Sequence, residues 1–294
     1  MCDSAALFAD FFPEKDFVVF IDSDGCTFDT LEIQQKECYC PAFINHYGLQ
    51  PISKFARETW EFVTLYSIHR GVNRFQAAIT VLDYLRERNA IISRRFSVPT
   101  ADGLRTWLSA EALPSMPALK ETCESKNNSE LEQAYNWALE VEDAILKIVR
   151  NVPPFPYALE SLKEMRSLCS TISMSSSPTE NMRRQWDEHG LTPLVDLTVG
   201  QEAGTKDQLV RTATKEKLKQ ERMLIIGDAP SDLQAAKDAG TLFFPIVPGK
   251  EEASWQRFFQ EGLDRFVRGT FGGAYAEKLI AEFRKQLPEK PPWQ

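Results

Sequence analysis

Apolar and polar positions follow three different patterns along this chain. The first is Val18-Val19-Phe20-Ile21, an apolar run that ends abruptly in Asp22-Ser23-Asp24-Gly25. A short continuous apolar run bounded by turn residues reads as a buried strand. From Pro153 to about Pro248, β-rich runs alternate with helical stretches. Helices are predicted over 158–168, 179–188, 206–219 and 231–239, the last ending at Gly240, a natural C-terminal cap. Strands are predicted over 170–175, 194–199, 222–227 and 242–247. Alternating β and α units imply a parallel sheet covered on both faces.

Residues 32–151 follow a helical period instead. Helices are predicted over 53–68 and 74–88, the second with Phe75, Ala78, Ile79, Leu82 and Leu85 on one face. A longer helix over 129–150 repeats Leu131, Ala134, Ala138, Val141, Ile145 and Ile148 at threes and fours. Ser129 and Glu132 have the spacing of a capping box at its start. The cluster Pro153, Pro154 and Pro156 forms a stiff connection out of this insert, suited to one side of a hinge. Beyond Gly249, helices are expected over 251–267 and 275–286. The pattern therefore divides the chain into an α/β core (1–31 and 152–249), an all-helical insert (32–151) and a C-terminal helical extension (250–294).

At 294 residues the chain can bury a full core, and 43% hydrophobic with 26% charged residues is ordinary for a globular protein. No apolar run approaches the ~20 residues that span a bilayer. The N-terminus carries Asp3 where a secretory signal carries basic charge, so a cytoplasmic location and no membrane partner are expected. A net charge of −8 argues against nucleic acid as a partner. The six cysteines contain no C-x-x-C pair, and three histidines without an H-E-x-x-H pattern make a zinc enzyme unpromising. Oligomeric state is not encoded in any of these patterns.

The chemistry concentrates at the strand ends, where open parallel sheets bind ligands. Asp22 and Asp24 repel each other unless a cation sits between them or one holds a proton. An EF-hand loop is excluded, because counting from Asp22 places Gly25 fourth and Ile33 twelfth. Ser175 ends the second strand, Lys206 opens the helix after the third, and Asp228 follows the fourth with Asp232 four residues on. Four carboxylates supply oxygen ligands of the kind Mg²⁺ prefers, while Ser175 offers a hydroxyl and Lys206 a cation for a phosphate.

The segment Asp22-Ser23-Asp24-Gly25-Cys26-Thr27-Phe28-Asp29-Thr30 resembles the first motif of the haloacid dehalogenase-like (HAD) hydrolase superfamily. Ser175, Lys206 and Gly227-Asp228-Ala229-Pro230-Ser231-Asp232 are similar to its second, third and fourth motifs. The resemblance implies a Rossmann-like core in which Asp22 attacks phosphorus and Asp24 serves as acid and then base. It also implies Mg²⁺ held by Asp22, the Asp24 carbonyl and Asp228, with Asp232 as a further or water-mediated ligand. Asp24 separates the chain from the family's dehalogenases. Three departures stand out: Cys26 and Thr27 in the first motif, Tyr157 where a glycine is commoner, and no proline after Lys206.

The insert resembles the family's C1 cap, which closes over the site and selects substrate. In it, Arg70, Asn73 and Arg74 are candidates to bind a second anionic group on the substrate. Trp60 and Tyr66 have the spacing of core residues or of a stacking platform. The implied function is Mg²⁺-dependent hydrolysis of a small phosphorylated metabolite. A sugar phosphomutase is the alternative, weakened because Gln34 stands where the mutase-like members carry a hinge histidine. A non-catalytic binder of phospho-ligands or partners is a third reading.

Overall fold

A computed structural model describes residues 11–214 and 218–294 of the chain. It divides into two compact units, Met1–Leu31 with Asn151–Leu287, and Glu32–Arg150 with Pro288–Gln294.

The first unit is built on five parallel strands: β1 (Phe17–Asp22), β2 (Cys169–Met174), β3 (Leu197–Val199), β4 (Met223–Gly227) and β5 (Leu242–Pro245). Their order across the sheet is β3-β2-β1-β4-β5, with β1 at the centre. The order reverses direction around β1, which makes its carboxyl end a switch point of the kind where α/β sheets place ligands. Register aligns the strand ends: Asp22 lies opposite Met174, Ile21 opposite Ile226, and Gly227 opposite Pro245. Every residue of β2 and β4 is buried. This follows from helices covering both faces, which removes the polar–apolar alternation of a half-exposed strand.

One face of the sheet packs Val19, Ile21, Leu224, Ile226 and Phe244 against the helix Ala158–Leu168 and the C-terminal extension. The other packs Val18, Phe20, Ile172 and Ile225 against the helices Lys206–Thr214 and Pro230–Ala239. The helix expected over 206–219 is described to Thr214; residues 215–217 lie outside the described residues. The extension runs as Glu251–Arg257, a π-helical turn at Phe258–Gly262, Leu263–Val267, and then Ala274–Gln286. Phe258 and Phe271 pack on Phe244 of β5 with ring centroids 4.9 and 6.2 Å apart, so this stretch is part of the core's own packing.

The second unit is all-helical, with its main helices at Ser53–Leu65, Arg74–Glu87, Asp102–Ala110, Met116–Ser125 and Ser129–Ile148. Trp60, Trp137, Phe43, Phe75 and Tyr39 form its aromatic centre. Trp60 is fully buried there and donates to Gln35 Oε1, which resolves it as a core residue. The capping residue of the long helix is Asn128, not Ser129: its side chain accepts from the Glu130 and Leu131 N–H groups. Asn is as strong an N-cap as Ser, and the backbone places the cap one residue earlier. The last seven residues belong to this unit. Trp293 packs edge-on to Phe62 and under the Arg88 guanidinium, while Ile68 N–H donates to the Pro288 carbonyl.

Candidate active site

Asp22, the last residue of β1, is 6% exposed, and Asp228 and Asp232 are buried beside it. One carboxylate oxygen from each lies within 4.8 Å of the others. Lys206 bridges two of them, its ammonium 2.7 Å from Asp22 Oδ1 and 2.5 Å from Asp232 Oδ1. The second Asp232 oxygen accepts from the Asp228 and Ala229 N–H groups at 3.2 and 3.0 Å, which caps the helix that Pro230 opens. Asp232 therefore serves capping and the cluster at once, one oxygen for each. Gly227 makes this approach possible: a Cβ there would sit 2.5 Å from the Asp232 carboxyl group.

Three buried carboxylates face one ammonium, and the excess negative charge sets the local electrostatics. Burial pushes the Asp22 carboxyl well above the usual carboxylate range; Lys206 opposes the shift, and Asp232 and Asp228 add to it. Burial disfavours the Lys206 ammonium, but Asp22 and Asp232 outweigh this and hold it charged. A hard divalent cation fits such a donor set: all-oxygen, anionic and short of positive charge. Asp22, Asp228 and Asp232 are the residues that would hold it.

Asp24 lies outside that cluster. Its carboxylate accepts from Thr30 Oγ1 at 2.5 Å, Ser177 Oγ at 2.8 Å and Gln185 Nε2 at 3.3 Å. Trp186 Nε1 reaches Ser23 Oγ at 3.0 Å, so the helix Thr179–Glu188 grips the same loop at two points. Gln185, Trp186 and Ser177 are contributions the sequence reading missed. Gln185 and Trp186 lie on the buried stripe of their helix, but nothing in spacing alone singles out a buried glutamine.

Ser175 is buried just beyond β2, and its hydroxyl accepts from the Ser177 N–H at 3.0 Å. The same turn is pinned to the end of β3, where Gly200 N–H donates to Thr179 Oγ1 at 2.9 Å. A Cβ on Gly200 would fall 2.3 Å from the Thr179 nitrogen, so glycine is required for this close approach. Thr27, one of the departures, donates its hydroxyl to the Asp22 carbonyl at 2.8 Å. Cys26 is buried, and desolvation together with the nearby carboxylates pushes its thiol well up, so it stays an unreactive thiol.

The fold and the strand-end cluster correspond to a family model for a haloacid dehalogenase-like hydrolase, which matches residues 18–240. The chain belongs to that family. It is accordingly a hydrolase. Similar solved structures include a candidate phosphoglycolate phosphatase from Lactobacillus delbrueckii subsp. bulgaricus, 15% identical, with TM-score 0.48 and coverage of 86% of this chain and 98% of that one. A haloacid dehalogenase-like family hydrolase from Streptococcus pneumoniae is 16% identical, with TM-score 0.45 and coverage of 82% and 90%. A candidate β-phosphoglucomutase from Thermotoga maritima is 16% identical, with TM-score 0.41 and coverage of 78% and 84%. No curated protein matches the sequence.

In the helical unit, the three predicted recognition residues are already engaged. Arg70 is buried and donates to the Leu65 carbonyl at 2.9 Å. Asn73 caps the helix Arg74–Glu87 by accepting from Phe75 N–H, and its amide donates to the Pro114 carbonyl. Arg74 lies 3.3 Å from Glu142 and stacks over Tyr39. Tyr66 hydrogen-bonds Glu32, and Lys36 donates to its hydroxyl. No helix among the described residues is long and apolar enough to cross a membrane.

Proposed function

We propose that this hydrolase cleaves small phosphomonoesters through an aspartyl-phosphate on Asp22, with Mg²⁺ as cofactor. The observation that carries the reading is the buried Asp22, Asp228 and Asp232 cluster braced by Lys206, next to a separate, hydroxyl-cradled Asp24. Bound Mg²⁺ would neutralise the excess carboxylate charge and let an anionic nucleophile meet an anionic phosphoryl group.

The residues divide the work. An Asp22 carboxylate oxygen attacks phosphorus as the phosphorus–ester oxygen bond breaks, and Asp24 delivers a proton to the departing oxygen. Asp24 then takes a proton from water as that water attacks the phosphorus of the acyl phosphate. Phosphate leaves and the Asp22 carboxylate is restored. Lys206 orients Asp22 and, with the Ser175 hydroxyl, meets the phosphoryl oxygens. The helical insert acts as a C1-type cap that keeps water out and chooses the substrate. Arg70, Asn73 and Arg74 act in that choice as residues of the cap.

The test is phosphate release from a panel of phosphorylated metabolites, with Mg²⁺ and with chelator. Release that requires Mg²⁺ and vanishes in Asp22→Asn supports the reading. Undiminished release in that variant sinks it.

A further inference from the structure

The loop after the nucleophile is held from outside by the C-terminal extension. Inside the loop, Gly25 N–H donates to the Phe28 carbonyl at 2.8 Å, and the Thr27 and Phe28 N–H groups donate to Ser23 at 2.9 and 3.1 Å. These bonds curl the loop without anchoring it. Among the anchors is Phe155 N–H, which donates to the Thr27 carbonyl at 2.9 Å. Another is the Cys26 thiol, 3.7 Å from the Ile226 carbonyl and a weak donor. A third is the indole Nε1–H of Trp255, which donates to the Cys26 carbonyl at 2.8 Å.

Trp255 is fully buried, and its seat is rigid. Phe258 meets its ring edge-on at 5.9 Å and is itself packed on Phe244 of β5 at 4.9 Å. The same stretch also steadies the Phe155 anchor. Tyr157 adopts a left-handed conformation, φ 70°, where its side chain is disfavoured; its hydroxyl accepts from Gln256 and its ring lies 6.0 Å from Phe259. Residues 255–259 therefore support two of the loop's anchors, the Trp255 indole and the segment that carries Phe155.

We propose that Trp255 is a positioning residue for this loop. Its N–H fixes the Cys26 carbonyl, and the N–H of that same peptide, on Thr27, donates to the Ser23 carbonyl at 2.9 Å, in the peptide that leads into Asp24. The Thr27 hydroxyl in turn donates to the Asp22 carbonyl at 2.8 Å, so a shift of this peptide reaches the carboxylate cluster as well. Without the indole N–H, a buried carbonyl loses its partner and the loop relaxes to find another. A displacement of about 1 Å at a reacting group costs on the order of 10²-fold in rate. The effect on turnover rests on the phosphatase reading; the effect on metal binding rests only on the carboxylate cluster and its loop.

The experiment compares wild type, Trp255→Phe and Phe266→Leu by Mg²⁺ titration calorimetry, thermal melting, and steady-state hydrolysis of an aryl phosphate. Phe266→Leu loosens the same extension at a site remote from the loop, where Phe266 packs on Phe17. Trp255→Phe is expected to weaken Mg²⁺ binding about fivefold and to lower kcat about tenfold or more, with KM within about twofold. Phe266→Leu, at a similar fall in Tm, is expected to leave Mg²⁺ affinity and kcat within about twofold of wild type. Equal effects of the two substitutions would overturn the proposal, since both would then report only packing. If wild type binds Mg²⁺ but releases no phosphate, the phosphatase reading fails while the titration still decides the role of Trp255. Should Trp255→Phe not fold, Phe258→Leu, which unseats the indole, carries the same expectation.

Discussion

At the scale of single residues, the buried Asp22 carboxyl sets a charged group against stability. Its native carboxyl titrates above the ordinary range, first through burial and then through Asp232 and Asp228. Between the unfolded value of about 3.9 and the raised native one, the folded chain binds more protons than the unfolded chain. Stability of the metal-free protein therefore falls as pH rises through that window. Melting in chelator should show Tm declining from mildly acid to neutral pH, and Mg²⁺ should flatten the trend. By the same logic Asp22→Asn in chelator should melt above wild type at neutral pH. On the proposed mechanism its turnover should be at least about 10³-fold lower, because no nucleophile remains. Gly227→Ala tests the close approach of Asp232. Its Cβ would force the carboxyl away, so a loss of about 1–3 kcal/mol in urea denaturation and weaker Mg²⁺ affinity are expected.

At the scale of elements, periodicity located most helices, while their ends depended on local chemistry. The long helix is the instructive case: Ser129 and Glu132 match a capping box in spacing, yet Asn128 makes the cap. Asn128→Ala should cost about 1 kcal/mol, whereas Ser129→Ala should be close to neutral; chemical denaturation of the two separates the assignments. The π-helical turns at Gln34–Tyr39 and Phe258–Gly262 leave no mark in an apolar period that a regular helix would not also leave. Tyr157 in a left-handed conformation gives physical meaning to the glycine commoner at that place. The tyrosine accepts backbone strain and recovers contacts with Gln256 and Phe259.

At the scale of the whole molecule, the C-terminal region serves both units. The helices from Glu251 to Gln286 belong to the α/β unit, and Pro288–Gln294 belongs to the helical one. Removing residues 288–294 uncovers Phe62 and takes the indole from Arg88. Calorimetry of the truncated chain should show the helical unit destabilised by about 1–3 kcal/mol, with the α/β transition nearly unmoved. A single shared transition shifted as a block would instead mean that the two units unfold together.

The sequence by itself determined the α/β class, the helical character of the insert and the identity of the strand-end acids. These rest on short-range rules: period, turn residues and the chemistry of aspartate next to glycine. Tertiary structure decided how those residues meet. It set the strand order that brings Asp22, Asp228 and Asp232 within 4.8 Å of one another, and it set Asp24 apart on Thr30, Ser177 and Gln185. It also brought Trp255 to Cys26 across 229 residues of chain. Such contacts depend on where distant segments pack, and a hydrogen bond between residues that far apart leaves no periodic trace in the chain.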